Sequence, residues 1–140
     1  MGNVMVQDLA DFLISQGVCQ GRAGNLPQGV TDPDTFLDNR PPTPGKALTI
    51  IDTGGFPPIG GLEDLRRTAQ LMFRMKGTAE AKAWAWTAYR LLSPAGGLGF
   101  TVNGKKYITV AAQPPYPLGE DDNNRHRFVF NLVVTATPDD

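Results

Sequence analysis

Apolar and polar positions along this chain of 140 residues follow two different periods, and the period selects the element. Over residues 5–17, Val6, Leu9, Phe12 and Leu13 recur every three or four positions. That spacing draws one apolar stripe down a helix, with Asp8 and Asp11 on its other side and Gly17 as the stop. Over residues 64–76 the period falls to two. Ala69, Leu71, Phe73 and Met75 point one way and Thr68, Gln70, Met72 and Arg74 the other, which predicts a long half-buried strand. Residues 78–92 return to the helical period. Thr78 is a good N-cap for a run of strong helix formers whose buried face is Ala81, Trp84, Ala85, Ala88, Leu91 and Leu92.

The remaining segments read as strands and loops. Residues 47–52 are apolar and β-branched, hence a buried strand. Asn103-Gly104 suits the tight turn of a hairpin between 100–102 and 105–112, because both central residues need positive φ. In 127–137, Phe128, Phe130, Leu132 and Val134 face the core, while Val129, Asn131, Val133 and Thr135 face away. Residues 20–45 are rich in Gly, Pro, Asp and Asn, with short strands expected near 28–30 and 35–38. Residues 53–61 read as a long turn and 113–124 as a Pro-rich loop. The order predicts one α+β domain over residues 1–140. It has a mainly antiparallel sheet of about four to six strands, two helices on one face, long Gly/Pro-rich loops and a short tail at 138–140.

Composition narrows the function more by exclusion than by signal. Net charge is −1, so no global basic field draws in nucleic acid. A single cysteine, Cys19, excludes an internal disulfide, fits a reducing compartment and speaks against a cysteine-built metal site. The N-terminus lacks a basic region before its apolar residues, and no apolar run approaches the roughly 20 residues of a membrane span. The single histidine, His126, lies in Asn-Asn-Arg-His-Arg and reads as a solvated residue with no nucleophile beside it. Glu120, Asp121 and Asp122 lack the spaced oxygens of a calcium loop. No cofactor or metal site is expected.

One string is enzyme-like. Ile50-Ile51-Asp52-Thr53-Gly54 resembles the turn that carries the carboxylate of aspartic proteases, where two such turns share one proton, but the apolar-apolar-Gly strand that packs behind that turn has no match after Asp52. The bland reading is a strand end at which Asp starts a turn. Other features speak for partners instead. Trp86 lies about 200° round its helix from Trp84, so one core does not hold both. Met72, Val129 and Val133 make the sheet apolar on both faces, which calls for a second cover.

The strand 67–76, the helix 80–92, the Asn-Gly hairpin and the run Gln113-Pro114-Pro115-Tyr116-Pro117-Leu118-Gly119 leading into Arg127-Phe128-Val129-Phe130-Asn131 together resemble the minor capsid, or tail-terminator, proteins of long-tailed bacteriophages. The resemblance covers roughly residues 45–136. It implies a structural virion protein of the tail and neck region, assembled in the host cytoplasm, and not an enzyme. Such proteins form a ring, usually of six copies, that caps the tail tube, stops its polymerisation and docks the tail to the head connector. The implied partners are further copies of the chain, the tail tube protein and the head–tail connector protein. No membrane is involved, and DNA meets the protein only in passing through the ring. Phe56, Ile59, Arg74, Trp86, Tyr116 and Leu118 are the candidate interface residues. The alternatives are another neck or tail part, such as a connector stopper or tube subunit, a homodimeric aspartic protease using Asp52, and a nucleic-acid-binding module.

Overall fold

A computed structural model describes residues 4–23, 26–30, 33–38, 45–55, 66–92, 100–111, 113–121 and 124–136. Among them lie two helices, α1 (Val4–Ser15) and α2 (Thr78–Leu92). The strands are β1 (Thr35–Leu37), β2 (Ala47–Gly55), β3 (Arg66–Met75), β4 (Phe100–Val102), β5 (Lys105–Ala111), β6 (Tyr116–Glu120) and β7 (His126–Ala136). They form one sheet in the order β1-β2-β3-β7-β5-β4, with β6 also beside β7. Every pairing is antiparallel except β1 with β2. The expectation of an α+β fold with a mainly antiparallel sheet holds; the one parallel pair makes the sheet mixed, and its seven strands exceed the four to six expected.

The core lies between the helices and one face of the sheet. Val6, Leu9, Ala10 and Leu13 of α1 and Ala81, Trp84, Ala85, Ala88 and Leu92 of α2 close over Leu71, Phe73, Phe130 and Leu132. The alanines of α2 hold its backbone close to the sheet. Large rings fill the space that remains: Phe73 meets Trp84 edge-on at 5.1 Å and stacks on Phe130 at 5.9 Å. The Trp84 indole N–H donates to the Val18 carbonyl at 2.8 Å, which ties α2 to the end of α1. That end is a Schellman turn. Gly17 takes φ +79°, its N–H donates to Ile14 O, and the Val18 N–H reaches back to Leu13 O.

Several expectations need correction. Asp8 is not on a solvent face of α1; it is 4% exposed. The Tyr107 hydroxyl donates to Asp8 Oδ2, and Asn103 Nδ2 donates to Asp8 Oδ1 at 2.8 Å and to Asp11 Oδ2 at 2.9 Å. A carboxylate that collects donors from the hairpin is buried at a tolerable cost, and it fixes α1 against β4 and β5. Residues 28–30 form a turn rather than a strand, with the Val30 N–H bonded to Pro27 O. Gly77, not Thr78, caps α2, since its carbonyl accepts the Ala81 N–H at 3.0 Å. Strand β2 runs on through residues assigned to a turn, because a bulge between Asp52 and Gly54 keeps the pairing with β3.

Part of the 20–45 segment also joins the sheet. Gly21 O accepts from Asp34 and Thr35, and Ala23 N–H donates to Thr35 O, so this strip runs parallel beside β1. Asp34 organises it by accepting from the Gln20 N–H at 3.0 Å and the Gly21 N–H at 3.3 Å. Cys19 is buried in the same place. Burial pushes its thiol from the usual 9.0 up to about 12, with Asp34 adding to the rise and a hydrogen bond with Thr35 opposing it.

Asp8→Ala removes the buried carboxylate that accepts from the Tyr107 hydroxyl, and one of the two carboxylates that accept from Asn103, and should lower unfolding stability by about 1–3 kcal/mol in a urea titration. For Cys19 the folded state holds the proton more tightly than the unfolded chain. Its contribution to stability is therefore complete below about pH 9 and declines as the pH rises from there through about 12. At neutral pH a chromogenic thiol reagent should label Cys19 only on unfolding, and rapid labelling of the native chain would contradict the burial.

Candidate functional site

The outer side of α2 is built by helical spacing. Lys82, Trp86 and Arg90 recur every four residues, away from the alanine face. The opposed tryptophans divide as their angular separation requires. Trp84 is in the core, whereas Trp86 is half-buried on the outer side, edge-on to Tyr89 at 5.2 Å. The Arg90 guanidinium lies 5.6 Å from the Trp86 ring centre. Ala79, Ala83 and Thr87 complete a shallow groove of about 440 Å³ with these three side chains. Its floor is small and apolar, and its two ends are cationic.

The second feature is β6, which had been expected to be loop. Prolines lack the donor a central ladder needs, but an edge strand tolerates them. Strand β6 pairs with β7 from Tyr116↔Val129 to Glu120↔His126, with a bulge between Pro117 and Gly119. Leu118 sits at that bulge and is 42% exposed, the most exposed large apolar side chain among the described residues. Arg127 Nη2 donates to the Leu118 and Glu120 carbonyls, each at 3.3 Å, and braces the bulge. The turn into β7 is held by Asp121, which accepts from the Arg125 backbone at 3.0 Å and from its Nε at 2.8 Å.

The sheet face away from the helices is already covered at its centre. Phe36, Thr49, Met72, Val129 and Tyr116 form one row across five strands. Met72 is 3% exposed and Val129 0%, so they do not call for a partner as the sequence suggested. Tyr116 ends this row, half-buried. Arg74, directly opposite Arg127, is 5% exposed and is not presented along the surface. Burial and then the charge of Arg125 lower the affinity of Arg74 for its proton, with Asp121 opposing. Phe56 and Ile59 lie outside the described residues.

The enzyme-like string has a structural account. Asp52 Oδ2 accepts from Arg67 Nη2 at 2.9 Å and Nε at 3.2 Å, and its Oδ1 accepts the Gly54 N–H at 2.9 Å. Gly54 takes φ +115° there. The carboxylate thus shapes a β-bulge and holds an ion pair, a setting unlike the shared-proton dyad of a protease. His126 Nε2 lies 3.4 Å from Glu120 Oε1, so it is half-buried on a strand pair rather than freely solvated. Among the described residues no three His, Cys, Asp or Glu side chains are grouped to hold a metal ion.

The structure therefore brings Trp86 into a groove and puts Leu118 on an edge with no further strand partner among the described residues, while it buries Arg74 and most of Tyr116. Sequence reasoning passed over Lys82 and Arg90, and weighed Glu120 only as a cation ligand. The four-residue spacing of cations around Trp86 was a readable sign of the first two. Glu120 gave none, because β6 itself was read as loop. Known proteins place this architecture. Among curated proteins no relative matches. One solved structure aligns over 97% of this chain and 92% of its own length, at 16% identity and a TM-score of 0.54, which shows a shared fold. The family model described as bacteriophage tail terminator protein matches residues 24–138, a span holding every strand and α2. The chain belongs to the bacteriophage tail terminator family.

Proposed function

We propose that the chain closes into a ring, with six copies the expected number, on the end of the finished phage tail tube. There it stops polymerisation and docks the tail to the head connector. The observation that carries this reading is the family match over residues 24–138. Physical logic supports it. To end a polymer, a subunit must bind the growing end yet offer no copy of that end to the next tube subunit. A ring meets this requirement when its two rims differ. Its protomers must then join head to tail, through two dissimilar patches, and such contacts close into a ring when their rotation permits. The α2 groove and the β6 edge are dissimilar patches of that kind.

The purified chain should give one closed oligomer by native mass spectrometry at micromolar concentration. Particles assembled without it should carry overlong tubes that fail to join heads in electron micrographs. Tails of normal length joined to heads in its absence would sink the reading. Asp52→Asn separates this role from proteolysis. It weakens one partly exposed ion pair, worth about 1 kcal/mol or less, and should leave the oligomer intact.

A further inference from the structure

Two surface features are unexplained by the fold and fit one another. The groove on α2 has an apolar floor at Ala83 and Trp86 between Lys82 and Arg90. Among the described residues neither cation lies in an ion pair. The β6 edge offers the opposite character: Leu118 projects an exposed apolar side chain, and Glu120, two residues on, has half of its side chain open beside His126. The spacings also agree. Two residues of extended strand advance at most about 6.6 Å, less across Gly119 with its φ of +86°, and the four residues from Trp86 to either cation advance about 6 Å. A leucine laid on Trp86 therefore brings a carboxylate two residues later to one end of the groove. Trp and Arg are the side chains that most often anchor an interface, and an aromatic floor with a charged rim is their usual setting.

We propose that neighbouring protomers of the ring join by seating the β6 edge of one copy in the α2 groove of the next, with Leu118 on Trp86 and Glu120 at one cationic end of the groove, Lys82 or Arg90. This rests on the ring reading given above. The contact is heterologous, since groove and edge belong to different elements of the same chain, so each protomer gives one and receives one. The bulge at Leu118 turns that side chain outward, and the Arg127 brace holds it in place before assembly. Little conformational freedom is then lost on docking.

Charge reversal tests the pairing on the full chain. Glu120→Lys alone, and Lys82→Glu with Arg90→Glu, should each weaken ring formation at least about tenfold by sedimentation velocity. All three changes together should restore it to within about threefold of the original chain. All three positions are exposed, so thermal melts should stay close to the original and show that folding is not the cause. Reversals that leave the ring unchanged, or a triple variant that folds but stays dissociated, overturn the pairing. So do variants that keep their ring but lose the tail tube, because the groove then receives a tube subunit. A wild-type chain that stays monomeric both free and on tubes overturns the ring reading itself. A wild-type ring indifferent to the reversals overturns only this contact.

Discussion

An internal strand gives its backbone donors and acceptors little access to water, so β7 needs neighbours along most of its length on both sides. β3 supplies one side from His126 to Thr135. No single strand supplies the other. β5 covers Leu132 to Ala136 and β6 covers His126 to Val129, and both run antiparallel to β7. β5 and β6 act as two parts of one edge, separated by 113–115, where Pro114 and Pro115 have no N–H to give. The open edge at Leu118 is the outer side of a strand that exists to satisfy β7.

The same strand is enclosed on both faces. Phe128, Phe130, Leu132 and Val134 meet the helices, and Val129 is buried on the opposite side with Met72. Each such side chain gains about 1.5–3 kcal/mol by leaving water. The helices are held over it by few polar contacts. The Trp84 bond to Val18 joins one helix to the other, and Asp8 joins α1 to the hairpin. Among the described residues neither of these two bonds draws on the outer side of α2.

Most of the frame was legible in the sequence. The period of two in β3 and the helical period of α2 place both elements within two residues, because each packs one continuous apolar stripe into the core. Asn103 and Gly104 do have positive φ, as the hairpin required. What escaped depended on partners distant in the chain. Asp8 looks polar in a helical projection, and only the hairpin some 95 residues later makes it a buried acceptor. β6 looks like loop because prolines discourage strand assignment, yet they are admissible at an edge that only the tertiary pairing creates. Met72 and Val129 seemed to need an outside cover because the row from Phe36 to Tyr116 crosses five strands and leaves no local trace. For the candidate site, Trp86 and Leu118 could be named from sequence, but not that they carry opposite charges beside them.

The interruption between β5 and β6 has a consequence for how the chain can vary. Between Ala111↔Leu132 and Tyr116↔Val129 the chain uses four residues where β7 uses two. The two ladders are therefore registered independently, each by its own pairs. Residues gained or lost at 112–115 alter only the slack between them and shift neither alternation of faces. A continuous strand would permit no such change, since a slip of one residue would turn its core side chains to solvent. The break lets the rim of the molecule be lengthened, shortened or rewritten while the core beneath it keeps its register.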